Sequence, residues 1–261
     1  MRGSIFLSFL TFIILDLSHA LKHTTRETCQ RLDRITFDDS DSASRAFYSN
    51  FIPISPDNSY ALTSNGLELY LYKPEGRVTT SDGVNDQLAN GATINSTFIF
   101  DYGKVTFEVE SPTIHGVIVA GIMIGDESED EIDIEHVCAE PKSWQTNVFV
   151  PGPRDPQPLY NTFSSKETVD SITFLHSYSI EVTPENILWS LDGRVVRALP
   201  KDQCTRNGFS HYPTHTMRLQ LGIWDASKPA GTAKWAGGPI DWDNAPDKIT
   251  ATFKSVAVEC P

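Results

Sequence analysis

Asp126-Glu127-Ser128-Glu129-Asp130-Glu131-Ile132-Asp133-Ile134-Glu135 packs seven carboxylates into ten residues and closes in strict acidic/apolar alternation. Successive side chains of a β-strand point to opposite faces, so Glu131, Asp133 and Glu135 share one face and Ile132 and Ile134 the other. The two isoleucines are β-branched and suit a packed sheet face. A solvated acidic run or a calcium loop has no need of that alternation. Asp126, Glu127, Glu129 and Asp130 lack it and fit either of those roles.

At a rise of roughly 3.3 Å per residue, the Cα atoms of Glu131 and Glu135 lie about 13 Å apart. Side chains leaning inward can bring the carboxyls to a separation on the order of 5 Å, which suits a two-step displacement at a sugar's anomeric carbon. One carboxylate attacks in its ionised form while the other, protonated, donates to the departing glycosidic oxygen. Asp133 between them is expected to help hold a proton on Glu135 and to orient Glu131 by a hydrogen bond.

The surrounding chain reads as strands. Val105, Phe107 and Val109 alternate with Thr106, Glu108 and Glu110, and the more continuously apolar run from His115 to Ile124 fits a central strand leading into the acidic one. Gln145–Phe149, Tyr178–Val182, Ile187–Leu191 and Met217–Trp224 follow, with turns at Pro184-Glu185-Asn186 and at Asp192-Gly193, the latter a hairpin signal. Proline from 151 to 158 is too dense for a sheet and suits a loop beside a cleft. Short strands without long amphipathic helical patterns predict an all-β fold, a sandwich of two antiparallel sheets or a barrel, of which a sandwich with one concave face offers a long open groove.

Residues 1–20 carry Arg2, an apolar stretch and a small-residue exit, as a cleaved secretory signal does. Residues 21–44 read as a loosely ordered lead-in, and residues 45–261 as one catalytic domain without an appended binding module. No glycolipid anchor or spanning segment is expected, so the product is a secreted monomer, extracellular or in the cell wall. In such a setting Cys29, Cys138, Cys204 and Cys260 suggest two disulfides, with three pairings open. Asn95-Ser96-Thr97 is an N-glycosylation sequon, expected on a surface turn.

A net charge of −13 disfavours nucleic acid and anionic membranes and suits a neutral polysaccharide. Zinc clusters, phosphate-binding glycine loops and Gly-x-Ser-x-Gly turns are absent from the sequence, so no metal or cofactor is expected. Trp224 and Trp235, among polar and glycine neighbours, suit sugar stacking, with Gly237-Gly238 leaving room for a polymer at the backbone. Trp189 reads as core, Trp144 and Trp242 fit core or cleft, and His176 and His215 read as structural hydrogen-bonders. His136 should face away from Glu135 unless a bulge turns it back.

The segment Asp130–Glu135 resembles the E-x-D-x-E signature of glycoside hydrolase family 16, whose members share a concanavalin-like β-jelly roll. His176–Ile180 with Ile187–Gly193 looks like the family's paired back strands, and Tyr212-Pro213 through Trp224 like its substrate-facing strand. Gln145-Thr146-Asn147, Gly222-Ile223-Trp224 and Gly231-Thr232-Ala233-Lys234-Trp235-Ala236-Gly237-Gly238 resemble the fungal Crh-type enzymes, which join chitin to β-glucan. The resemblance implies Glu131 as nucleophile, Asp133 as its helper, Glu135 as general acid/base, and Gln145, Asn147, Trp224 and Trp235 as substrate contacts. His136 and Ala233-Lys234 depart from the family pattern. A hydrolytic endo-β-1,3 or mixed-linkage glucanase is the alternative within this chemistry, and a non-catalytic, lectin-like polysaccharide binder is the alternative outside it.

Overall fold

The structure, a computed structural model, describes residues 29–151 and 162–261. Signal residues 1–20 and most of the proline-rich segment lie outside the described residues. Two antiparallel sheets face each other, one of seven strands and one of eight. In spatial order the seven-stranded sheet runs Ser165–Thr168, Ser143–Phe149, Glu131–Val137, Val117–Gly125, Met217–Asp225, Ala92–Ser96 and Phe51–Pro53. The expected central strand, Val117–Gly125, occupies the middle, with the acidic strand on one flank and Met217–Asp225 on the other. The second sheet runs Arg194–Pro200, Asn186–Leu191, His176–Val182, Gly103–Glu110, Lys248–Glu259, Gly66–Tyr72 and Tyr60–Thr63, with Leu32–Thr36 pairing on Lys248–Glu259.

Period-2 patterning fixes which face is which. Ile132 and Ile134 are fully buried between the sheets, as are Val148, Leu219, Leu221, Ile223 and Ile94 on neighbouring strands. From the opposite sheet come Val105, Phe107, Val109, Tyr178, Ile180, Ile187 and Trp189. A register slip of one residue would invert this arrangement, placing the acids in an apolar core. The Asp192-Gly193 hairpin forms as expected, both residues at positive φ (49° and 75°). Gly121, on the central strand, permits a close approach between sheets: a Cβ there would stand 2.2 Å from the Phe107 ring. That ring lies over the backbone that pairs with Ile134.

Residues 29–44 are more ordered than a loose lead-in. Leu32–Thr36 is a strand, and Asp41–Asn50 is a helix whose N-cap Ser40 accepts from the Ala43 amide. Phe37, Phe47 and Phe51 pack together at the sandwich end, their centroids 5.6 to 5.9 Å apart. Cys29 is bonded to Cys260, closing a loop of sequence separation 231. The second expected bridge does not form: Cys138 and Cys204 are free and buried. Each belongs to the packed core, where its thiol lies 3.6 Å from a backbone carbonyl, of His136 and Pro200 respectively. Among the described residues, no helix is long and apolar enough to cross a membrane.

Candidate active site

Glu131, Asp133 and Glu135 project from the outer face of the seven-stranded sheet into a cleft of 550 Å³. Each acid has a partner directly opposite on the neighbouring strand: Phe149 for Glu131, Asn147 for Asp133 and Gln145 for Glu135. The same cleft is lined by Trp224, Trp235, Ser164, Pro229 and Thr232. All seven residues expected in catalysis or sugar contact therefore come together. Phe149, Ser164, Pro229 and Thr232 were not foreseen. Phe149 carried a signal, because period 2 from Gln145 and Asn147 leads to it.

Burial sorts the acids. Asp133 is almost fully enclosed at 2% exposure, whereas Glu131 and Glu135 are half-buried. Loss of hydration pushes Asp133 well above the ordinary carboxylate range, helped by the charges of Glu131 and Glu135 and by its hydrogen bond with Glu131. Asp133 is thus biased towards its neutral form beside Glu131, with which it shares a hydrogen bond. Glu135 is pushed up to about 7, chiefly by burial and then by the Glu131 charge. The expected source of this shift, the charge of Asp133, is not among its causes, which are burial and the Glu131 charge.

The strand is held from behind. Trp189, in the core as expected, crosses from the opposite sheet and donates Nε1–H to the Asp133 carbonyl at 3.1 Å. His136 points away from the cleft, and the acidic strand pairs through Val137 without a bulge. Its Nδ1 lies 2.7 Å from Ser111 Oγ and its ring packs on Tyr178 at 4.6 Å. Burial, with a lesser contribution from His176, lowers its pKa to about 3, so it is a neutral core residue.

Before the acidic strand, Asp126 pairs with Arg218, and buried Asp130 accepts from the Thr214 and His215 amides at 3.0 and 3.3 Å and from His215 Nδ1 at 3.0 Å. These two acids brace the strand's approach. No group of three or more His, Cys, Asp or Glu side chains among the described residues is placed to hold a metal ion. His176 bridges Asp170 and Asp192 at 2.7 and 2.8 Å, remote from the acids in register.

One wall of the cleft is a stacked indole pair, Trp224 and Trp235, 6.0 Å between centroids at 23°. Trp224 comes from strand Met217–Asp225 and Trp235 from the short helix Ala230–Trp235. Trp235 Nε1 donates to Gln145 Oε1 at 3.0 Å, which ties the indole to the residue opposite Glu135. Behind the pair, Ile118, Val137, Ala226 and Ala236 form a small apolar cluster. Gly237 and Gly238 do not line the cleft. At Gly237, with φ +80°, a Cβ would stand 2.4 Å from Ala139 Cβ, so the glycine serves the turn that seats this segment. Trp144 and Trp242 are core residues. Asn95 lies on a strand rather than a turn.

The sequence model for glycosyl hydrolases family 16 matches residues 47–253. Crh-like protein 2 of Aspergillus fumigatus is 39% identical over 171 residues, 61% of this chain and 37% of that protein. Crh-like protein 5 of the same organism is 28% identical over 238 residues, 90% of this chain and 56% of that protein. This chain thus spans between about a third and about three fifths of the curated relatives it matches. Among solved structures, a Crh5 transglycosylase in complex with NAG superposes with TM-score 0.70 at 25% identity, covering 89% of this chain and 86% of that one. The laminarinase catalytic domain from Thermotoga maritima, 16% identical with TM-score 0.67 over 90% of this chain and 99% of that one, shares the fold. The family model, the two-sheet sandwich and three acids on one strand face agree: the chain belongs to glycosyl hydrolase family 16.

Proposed function

We propose that this chain is a secreted retaining transglycosylase of cell-wall β-glycans that passes chitin oligosaccharide to β-glucan through a glycosyl ester on Glu131. The observation that carries the reading is three acids on one strand face lining a single cleft with Gln145, Trp224 and Trp235. Glu135 is pushed up to about 7, which favours its role as proton donor near neutrality, and Asp133 is pushed well above the usual carboxylate range beside Glu131. Glu131 attacks the anomeric carbon as Glu135 protonates the leaving oxygen. The deprotonated Glu135 then takes a proton from the incoming hydroxyl as that oxygen displaces Glu131, restoring the starting state. Asp133, hydrogen-bonded to Glu131, holds the attacking carboxylate in place, and the ester that forms on Glu131 carries no charge.

Transfer and hydrolysis use the same acids and differ in what reaches the ester first. The Trp224–Trp235 stack, tethered beside Glu135 through Gln145, offers an incoming sugar ring an apolar platform where water would otherwise stand. This supports transfer, as do the Crh-like relatives and the structural neighbour described as a transglycosylase. The same relatives support an extracellular or cell-wall location.

The test is incubation of purified protein with chitin oligomers and a fluorescent laminarin or chitin oligosaccharide, followed by mass spectrometry. Larger labelled products with wild type and none with Glu131→Gln are expected. Shortened chains alone would make the protein a hydrolase. Retained binding without any turnover in wild type would make it a lectin-like sandwich.

A further inference from the structure

The row of residues containing Asp133 continues across the sheet. Asp133 pairs with Ile122, Ile122 with Gln220, and Gln220 with Asn95. Directly paired residues of antiparallel strands share a face, so Asn95 stands on the same face as the three acids. Three strand spacings separate it from Asp133, about 14 Å. Ile122, Gln220 and Asn95 are all half-buried on this face, beyond the residues that line the cleft. Asn95 is also the first residue of Asn95-Ser96-Thr97.

Asn95 accepts from Gln220 Nε2 through Oδ1 at 2.8 Å, and Nδ2 makes no hydrogen bond among the described residues. Nδ2 is the nitrogen that N-glycosylation modifies, and the Oδ1 contact survives the modification. In that reaction Nδ2 forms a bond to C1 of an oligosaccharide carried on a polyprenyl diphosphate, loses a proton, and the polyprenyl diphosphate departs. The chemistry takes place on the unfolded chain, so strand pairing does not prevent it.

We propose that Asn95 carries an N-linked glycan that stands on the cleft face and closes the groove three strands from the acids, limiting how long a β-glycan the enzyme can engage. A glycan on the eight-stranded sheet would leave the groove untouched; this one lies in line with Asp133. The chain-length effect rests on the groove's being the glycan-binding site proposed above, whereas occupancy of Asn95 does not.

The experiment uses protein secreted from a eukaryotic host as wild type, Thr97→Ser, which keeps the sequon, and Thr97→Val, which removes it while leaving the Asn95–Gln220 pair. Thr97 is exposed and lies outside the cleft lining. Peptide mass spectrometry reads occupancy of Asn95. Turnover by each protein, and binding by each on the Glu131→Gln background, are measured over chitin and laminarin oligomers from the disaccharide upward. Expected is an occupied Asn95 in wild type and Thr97→Ser, with kcat/KM and affinity about tenfold higher in Thr97→Val for long oligomers and equal for short ones. Unmodified Asn95 in wild type would overturn the proposal, as would an occupied Asn95 with the same length profile in Thr97→Val. Occupied Asn95 with no binding or turnover of any β-glycan in any form would refute both the proposed function and the length limit, while leaving the modification established.

Discussion

Moving Glu135 up to about 7 changes how much protonated carboxyl is available near neutrality. At its usual value of 4.5 only about 0.3% of the side chain would be protonated at pH 7; at about 7 the fraction is about one half, and at pH 8 about a tenth. If protonated Glu135 is the proton donor, kcat/KM on a natural β-glycan should fall about tenfold per pH unit above pH 7. Substitution by Gln removes the donor, with an expected loss of roughly 10²- to 10⁴-fold on that substrate. An aryl glycoside with a good leaving group needs little proton donation, so Glu135→Gln should retain much of its activity there and lose the alkaline limb. A limb near 7 persisting in the variant would refute the assignment, because another group would then be titrating. The same shift affects stability. A folded acid above its unfolded pKa binds more protons than the unfolded chain, so its contribution is fully present below about pH 4.5 and is lost as pH rises to about 7, by about 3 kcal/mol. Glu135→Gln should flatten that slope in urea denaturation.

His136 carries the opposite sign. Its pKa of about 3 means that its contribution is present above pH 6.5 and is lost as pH falls towards 3, by up to about 5 kcal/mol. His136→Phe should be less acid-sensitive in urea midpoints between pH 6.5 and 4 while losing about 1 kcal/mol at neutrality from the Ser111 hydrogen bond; an unchanged acid slope would show that the imidazole does not titrate with folding. Trp235→Ala should raise KM for oligosaccharides about tenfold with a smaller effect on kcat, and a fall in kcat alone would move Trp235 from sugar binding to positioning. Cys29→Ser with Cys260→Ser should lower stability by about 5 kcal/mol in non-reducing denaturation, since 231 residues separate the pair; a change under 1 kcal/mol would mean that the unfolded chain holds its ends together without the bond.

The acid face was readable from Glu131 to Glu135 because a period of two admits one orientation once Ile132 and Ile134 must be buried. The same rule placed Trp189 in the core and His136 behind the cleft, and it could have placed Trp144 there, since Gln145 and Asn147 face the acids. What sequence did not carry was three-dimensional neighbourhood. Nothing local says that Asp133 is more enclosed than Glu135. Four cysteines suggested two disulfides by count alone, yet Cys138 and Cys204 are each sequestered in the core as a thiol. Gly237-Gly238 suggested room for a polymer, whereas the contact with Ala139, nearly a hundred residues away, shows a turn packed against protein. The first helix did have a local signal, Ser40 as N-cap with Ala43 and Phe47 spaced for one face, and it was obscured by the polar residues around it.

The bond between Cys29 and Cys260 also determines how the domain answers tension. Strands that are pulled lengthwise from opposite ends of a domain unzip or shear according to their pairing, but here a load applied through residues flanking 29 and 260 runs from one sulfur to the other. The 231-residue loop between them bears none of it, so the acid strand keeps its geometry while the flanking chain is stretched. In a single-molecule pulling experiment on the intact protein, the sandwich should add almost no length until a reductant is supplied, and then release its contour in one event. The domain is in this way mechanically insulated by a single covalent link.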